Sequence, residues 1–355
     1  MTLPQVDAAS WCGPLLAALL LSACGDNTDF SFGNAGGTAG ADASAAGTGG
    51  LAGSSGSAGS AGSAGNPGSA GASGADAGTD GSAAAPPVVV GTFNLHNFSI
   101  YGDSEYRIDA LAKKIDEVDA DVLGVQELKV KSGTTGAPSQ AWDAMLAKLP
   151  GRNGTHGAWS TFDSTVGFVW DTTTTTLLDQ ESLFDGDPSA FPRPPVLGRF
   201  RIQKQGASVE LNVIVVHLKA FQASFERRRE ACKKLRSYID AQADRRFAIV
   251  GDFNDDPYDV AADNSYVGTF LDQKPAYHFL TKELPPTSVT STGYYHYVAG
   301  KKITGEFLDH VIATDALMAE FSSATPKIFS QPPSSYSAWK ASHSDHFPVV
   351  VSFLP

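Results

Sequence analysis

Basic residues are missing from the first quarter of the chain: none of the 26 Lys and Arg in this 355-residue sequence precedes Arg107. The same stretch is short of aromatic and β-branched side chains and consists mainly of Gly, Ala, Ser and Thr with scattered Asp. Such a segment cannot offset its chain entropy by burial, which argues against a folded domain over residues 1–87. Cysteine is scarce as well, with only Cys12, Cys24 and Cys232, so a disulfide framework is excluded. Cys232 falls at an apolar position of an expected helix and reads as an inert buried thiol. Also absent are a GxSxG elbow, an HExxH pair and a Walker loop, leaving serine hydrolase, zincin and NTPase chemistry without support.

What stands at the N-terminus has the pattern of an export signal. Residues 13–23 form an apolar run too short for a mature bilayer span but right for a signal core. The run ends in Leu21-Ser22-Ala23-Cys24, which resembles the bacterial lipobox, where the Cys becomes the lipidated first residue. Asp7 and the missing basic residues depart from the usual positive start of such signals. The expectation is a signal over 1–24, a disordered Gly/Ala/Ser linker over 25–87 and one folded domain over 88–355. Repeats such as Ser57-Ala58-Gly59-Ser60-Ala61-Gly62 make the linker a flexible coil with a reach on the order of 40 Å. Lipidation of Cys24 would anchor the domain to a membrane in the cell envelope, outside the cytoplasm.

Within the domain, apolar periodicity predicts strands over 88–95, 121–128, 166–170, 175–183, 196–203, 209–218, 247–253, 307–313 and 347–353. Ile108, Leu111, Ile115 and Val118 recur at helical spacing, 141–149 forms a second helix, and a long one covers about 223–243. On its inner face are Phe225, Cys232, Leu235 and Ile239. Many strands with helices between them, and no strict βαβ alternation, point to an α+β layered sandwich.

Polar residues gather at the ends of these apolar runs. Asp252 and Asn254 flank Phe253, and strand alternation would point both to one side, where they need partners. Asp309 lies inside an apolar strand, where a lone carboxylate is costly. Asn94, Glu127 and His217 each close a strand, readings that also fit a turn, a solvated cap and a satisfied core histidine. Phosphoester hydrolysis needs a hard cation on oxygen ligands, for which Glu127 and Asp345 are suited to Mg²⁺. It also needs an activated water, neutralised phosphate oxygens and a proton for the leaving oxygen. A histidine paired with a buried carboxylate can serve as a base or as a positive stabiliser of the phosphate, and His346 with Asp309 would be that pair.

Six segments then occur in order: Gly91-Thr92-Phe93-Asn94-Leu95, Asp121-Val122-Leu123-Gly124-Val125-Gln126-Glu127, Val216-His217-Leu218-Lys219, Ile249-Val250-Gly251-Asp252-Phe253-Asn254-Asp255, Phe307-Leu308-Asp309-His310 and Ser344-Asp345-His346-Phe347-Pro348. On these the domain resembles the endonuclease/exonuclease/phosphatase family of DNase I, apurinic endonucleases, bacterial sphingomyelinases and inositol polyphosphate phosphatases. The resemblance implies a four-layer α/β sandwich with two packed mixed sheets flanked by helices. It implies that Asn94, Glu127 and Asp345 hold a divalent cation, Mg²⁺ or Mn²⁺. Asp252 would orient or deprotonate the attacking water, and Asn254 would donate to the phosphate. Asp309 would orient His346, and His217 would act as a second histidine, the acid for the leaving group. Arg193-Pro194-Pro195 is similar to the Arg-x-Pro segment whose Arg meets a phosphate; His96 is assigned no role.

The substrate is less legible. Six of the 38 acidic residues precede Val88, leaving 32 against 26 basic ones, a net charge of −6 that lacks a basic nucleic-acid footprint. A metal site can still serve nucleic acid, and the expectation is a monomeric nuclease acting on extracellular or periplasmic DNA or RNA. The alternatives are a sphingomyelinase-like phospholipid phosphodiesterase or a phosphomonoesterase, and a surface-displayed binding protein on an inactive fold. Arg227, Arg228, Arg229, Lys233, Lys234 and Arg236 are expected on a solvated helix face, and Tyr294, Tyr295 and Tyr297 are expected to pack a hairpin, with stacking on bases or insertion at a lipid interface as the alternatives.

Overall fold

A computed structural model describes residues 85–100, 102–129, 140–157, 164–266 and 268–355. The expected signal over 1–24, and all of the expected linker except Ala85, Pro86 and Pro87, lie outside the described residues. The first seven strands are β1 Val88–Ser99, β2 Val122–Lys129, β3 Arg152–His156, β4 Ser164–Asp171, β5 Thr175–Ser182, β6 Val196–Lys204 and β7 Ala207–His217. The next seven are β8 Phe247–Asp252, β9 Tyr277–Phe279, β10 Ser291–Val298, β11 Lys301–Glu306, β12 Asp309–Thr314, β13 Ser323–Ile328 and β14 Val349–Leu354. The helices are α1 Glu105–Val118, α2 Gln140–Ala147, α3 Phe225–Asp240, α4 Asp315–Met318 and α5 Tyr336–Ser342.

Two six-stranded mixed sheets hold the domain together. The first has the order β13-β14-β1-β2-β4-β3, the second β5-β6-β7-β8-β12-β9, and β10 with β11 forms a separate hairpin. The pairs β1/β2 and β7/β8 are parallel and the other pairs antiparallel. Val90, Val122 and Phe168 from the first sheet meet Val213, Val215 and Val250 from the second in one buried cluster. On the outer face of the first sheet lie Ile108, Leu111 and Ile115 of α1, Trp142 of α2 and Trp339 of α5. On the outer face of the second lie Cys232, Leu235 and Ile239 of α3. The result is helix, sheet, sheet, helix, the four-layer sandwich expected.

Local chemistry explains the element ends. The Ser104 side chain accepts from the Arg107 amide to start α1, and Asp119 ends it in a left-handed conformation. Helix α3 departs from expectation at two residues. Phe225 is only half-buried, whereas Arg228, expected in solvent, is 1% exposed. Position 228 falls one turn before Cys232 on the inward stripe. Its guanidinium is satisfied there by the carbonyls of Lys219 at 3.1 Å and Phe221 at 2.8 Å and by Asp255 at 3.5 Å. The hairpin around Tyr294, Tyr295 and Tyr297 is present, but these side chains are exposed and do not pack it shut. Strands β3 and β13 gave no readable signal, being five and six residues long with few apolar side chains, and β9 is too short at three residues to show a period.

At Gly124 the two sheets leave no room for a side chain. A Cβ there would stand 2.7 Å from Val250 Cγ2 and 2.9 Å from Val215 Cγ2, both on the opposite sheet. Gly124→Ala should therefore wedge the sheets and lower the unfolding free energy by about 1–3 kcal/mol. Urea melts of the two proteins would check this, and identical midpoints would show that the interface has slack.

Candidate active site

Period-two alternation carries the inter-sheet core directly into a polar cluster. On β1 the inward positions are Val88, Val90, Thr92 and Asn94; on β7 they end Val213, Val215, His217. On β8 they run Ala248, Val250, Asp252, and β12 opens with Asp309 before Val311 and Ala313. Strands β7 and β8 are parallel, with His217 level with Asp252, and antiparallel β12 sets Asp309 against Asp252 on the other side. Thr92 Oγ1 donates to Gln126 Oε1 at 3.0 Å, forming the last rung between apolar core and polar cluster.

Alternation alone would turn Glu127 away from the cluster, because Val125 packs on the outer face. Its φ of +58° and the register breaks of β2 against both neighbours bring it back. The Asn94 amide then donates to Glu127 Oε1 at 3.1 Å and to Asp252 Oδ2 at 3.0 Å, joining the two sheets. Glu127 Oε2 accepts from the Asn97 amide at 2.7 Å. The expectation that strand alternation aligns Asp252 and Asn254 is replaced by a turn. Strand β8 ends at Asp252, Asn254 has φ +55°, and Asp252 Oδ1 accepts its amide at 2.8 Å. The Asn254 side chain donates to the Leu218 carbonyl at 3.1 Å.

Two histidines flank Asp252. His217 Nε2 lies 3.6 Å and His346 Nε2 3.7 Å from Asp252 Oδ2. His346 Nδ1 is 2.7 Å from Asp309 Oδ2, a pairing expected from the sequence. Burial opposes charge on His346, but Asp309 and then Asp252 override it and hold its pKa well above the usual histidine range. Burial lowers His217 far below that range, assisted by Arg193 and His346. Asp252 is pushed up by burial to about 7, against the pull of His346. Ligand atoms of Glu127, His217 and Asp252 lie within 4.8 Å of one another, as do those of Asp252, Asp309 and His346.

Asp345 stands at the edge of this group. Its Oδ1 is 2.8 Å from His96 Nδ1 and 3.9 Å from His346 Nε2, and its Oδ2 is 3.2 Å from Lys340. Burial alone would raise its pKa, but His96 and His346 take it well below the usual carboxylate range. Arg193 is largely buried within electrostatic reach of Glu127 and Asp252; it donates to the Leu218 carbonyl at 3.4 Å and its Nε has no partner among the described residues. All nine candidate residues are thus gathered at one end of the sandwich.

Three supporting residues were not singled out from sequence. Ser344 Oγ donates to the Asn94 carbonyl at 2.6 Å and accepts the His346 amide at 3.0 Å, clamping β1 to the segment before β14. Thr290 Oγ1 accepts the amides of Leu308 at 2.8 Å and Asp309 at 3.0 Å. Arg107 reaches the carbonyls of Leu95, His96 at 2.6 Å and His343 at 3.1 Å. Only Ser344 carried a hint, as part of Ser344-Asp345-His346. The other two act through backbone contacts that no spacing rule reveals.

Residues 91–334 match the model of the Endonuclease/Exonuclease/phosphatase family. No curated protein compared with the chain matches it. Among solved structures, the fold is similar to D. rerio TDP2 humanized by 14 mutations, with TM-score 0.51 and 12% identity over 76% of this chain and 99% of that one. An endonuclease/exonuclease/phosphatase from Bacteroides vulgatus gives TM-score 0.51 and 17% identity over 76% and 99% of the two chains. The mannosyl-6-phosphatase of Bacteroides thetaiotaomicron gives 0.50 and 15% over 76% and 100%. At such identities the likeness is one of fold. The family match ends before Ser344, so the place of Ser344-Asp345-His346 beside the other motifs comes from the geometry.

The Asp309 carboxylate is what keeps a buried imidazole charged. Asp309→Asn should therefore lower the His346 pKa, so that its ring nitrogens become neutral at a lower pH than in the wild type. Side-chain nitrogen NMR in the absence of divalent cations would follow this titration. An unchanged His346 midpoint would show that Asp309 does not set its charge.

Proposed function

The chain belongs to the endonuclease/exonuclease/phosphatase family and is a metal-dependent phosphoesterase, and we propose that it cleaves the phosphodiester backbone of DNA or RNA by in-line attack of water. The observation that carries this reading is the convergence on Asp252 Oδ2: Asn94 Nδ2 at 3.0 Å, His217 Nε2 at 3.6 Å and His346 Nε2 at 3.7 Å. A diester needs a water activated on one side and a proton or positive charge for the oxygen that leaves on the other. One carboxylate with an imidazole on each flank supports both requirements.

The donor set fits a hard divalent cation. Two carboxylates, Glu127 and Asp252, share the single amide of Asn94, so acceptor oxygens outnumber the donors between them. Mg²⁺ or Mn²⁺ would be held by Glu127 and Asn94, with Asp345 completing the set from its place beside His96. When bound, the cation neutralises phosphate oxygens and positions the substrate. Asp252, with its pKa near 7, is poised to take a proton from water at neutral pH. His346, kept charged by Asp309, faces the phosphate with a proton to give. His217, kept neutral by burial, offers a hydrogen bond. Arg193, whose Nε–H has no partner among the described residues, and the Asn254 amide, which also donates to the Leu218 carbonyl, are the donors for phosphate oxygens in this reading.

Purified protein should hydrolyse bis-p-nitrophenyl phosphate and nucleic acid with Mg²⁺ or Mn²⁺, and lose both activities in EDTA. Asp252→Asn should lower turnover by about 10³-fold or more at unchanged melting temperature. Full activity in chelator would remove the metal from the mechanism. Sphingomyelin turnover with nucleic acid untouched would move the substrate to phospholipid.

The same proposal includes location. Residues 1–24 serve as a lipoprotein signal, Cys24 carries the lipid, and residues 25–87 tether a monomeric domain in the cell envelope, facing extracellular or periplasmic polymers. Cell fractionation tests it: the wild type should sediment with membranes, and Cys24→Ser should be released or left unprocessed. A wild-type protein recovered in the cytoplasm with Met1 retained would end the export reading and leave the chemistry standing.

A further inference from the structure

A groove of about 590 Å³ opens beside Asn254. The buried carboxylates of Asp255 and Asp256 and the half-buried Glu306 lie at its base. One wall is the turn after β7 that carries Phe221, and the other is the β10 face of the hairpin. Phe221, Tyr294, Tyr295 and Tyr297 are 68%, 67%, 49% and 63% exposed. These are four of the nine large hydrophobic side chains exposed among the described residues, and their gathering in one groove marks a ligand surface. Tyr295 and Tyr297 meet edge to face with centroids 5.7 Å apart. Lysines stand over both walls: Lys219 Nζ is 5.1 Å from the Phe221 ring centroid and Lys302 Nζ 3.7 Å from that of Tyr295.

We propose that this groove takes an unpaired nucleobase next to the scissile phosphate, so that single-stranded nucleic acid is cut in preference to duplex. The inference rests on the phosphodiesterase reading of the adjoining site. Carboxylates at the base of the groove repel a phosphate but accept N–H bonds from a base edge. Asp255 is already engaged by Arg228 and Ser265, and Asp256 by the Tyr258 amide. Among the described residues the Glu306 carboxylate has only electrostatic neighbours, His346, His296 and Asp256, which leaves its oxygens for the base. Flat exposed rings suit the face of a base, and the lysines at the walls suit the phosphates on either side of it. Lys219 and Lys302 already lie over the Phe221 and Tyr295 rings, which leaves those two faces less open to a cationic head group. A base inside a duplex is stacked on both sides and its N–H edge is paired, so it must leave the helix to enter.

The full-length protein with Mn²⁺ would be assayed on one labelled oligonucleotide, single-stranded and annealed, and on bis-p-nitrophenyl phosphate. The single strand should be preferred by about 10-fold or more in kcat/KM. Replacing both Tyr295→Ala and Tyr297→Ala should reduce the ratio of oligonucleotide to bis-p-nitrophenyl phosphate kcat/KM by about 10- to 100-fold, chiefly through KM. Glu306→Gln should shrink the preference for poly(dC), whose N4 amino group donates to a carboxylate, over poly(dT). Equal cutting of single strand and duplex, a double variant that slows both substrates in step, or faster turnover of a phosphocholine diester would overturn the base-binding groove. In each of those cases continued bis-p-nitrophenyl phosphate turnover would leave the phosphodiesterase reading intact, whereas no turnover of any diester with either metal would remove that reading first.

Discussion

Two sheets packed face to face impose one constraint: whatever points inward must be satisfied between them. Along most of β1, β7 and β8 the inward residues are Val and Ala, and the layers close on apolar contact. At one end the same rows finish in Asn94, His217 and Asp252, with Asp309 entering from β12. Buried polar groups left alone there would each cost on the order of 1–3 kcal/mol. They meet across the gap, with the Asn94 amide as the hydrogen-bonded bridge between Glu127 on its own sheet and Asp252 on the other. The site is therefore an extension of the inter-sheet core, and its precision derives from the packing below it.

Opposed charges settle most of the site's electrostatics. Asp309 fixes the charge and orientation of His346, while burial takes His217 to neutrality in the same cluster. Two imidazoles on either side of one carboxylate thus carry different protonation states. Such a division lets one fold supply both an acid and a neutral hydrogen-bonding partner. Asp309 Oδ1 and His217 Nδ1 remain without hydrogen-bond partners among the described residues, so the cluster retains bonding capacity beyond its internal network.

Backbone strain concentrates where the polar residues must be aimed. Of nine non-glycine residues with positive φ among the described residues, four are His96, Asn97, Glu127 and Asn254. Asparagine tolerates that region, but glutamate does not favour it, so the +58° at Glu127 must be held by its surroundings. The Asn97 amide on its carboxylate, the Arg107 guanidinium on the β1 end and the Ser344 clamp supply that hold. The Arg228 guanidinium does the same for the turns after β7 and β8, being bonded to Lys219, Phe221 and Asp255 at once.

The sequence by itself determined the layers and most of the chemistry. Long apolar runs fixed nine of the strands to within a few residues, helical periodicity fixed α1 and α3, and the carboxylates and histidines, ambiguous one by one, stood out because they fall in six motifs that occur in order. Short polar strands such as β3 and β13 escaped, because edge strands bury little and leave no pattern. Tertiary structure decided the rest. It turned Glu127 inward against alternation, buried Arg228 in a row of basic residues and left the hairpin tyrosines in solvent. Glu127 and Arg228 are held by partners outside their own elements, which periodicity cannot register. A side chain's type states what chemistry it can do, but its direction and its partners are set by the neighbouring strand.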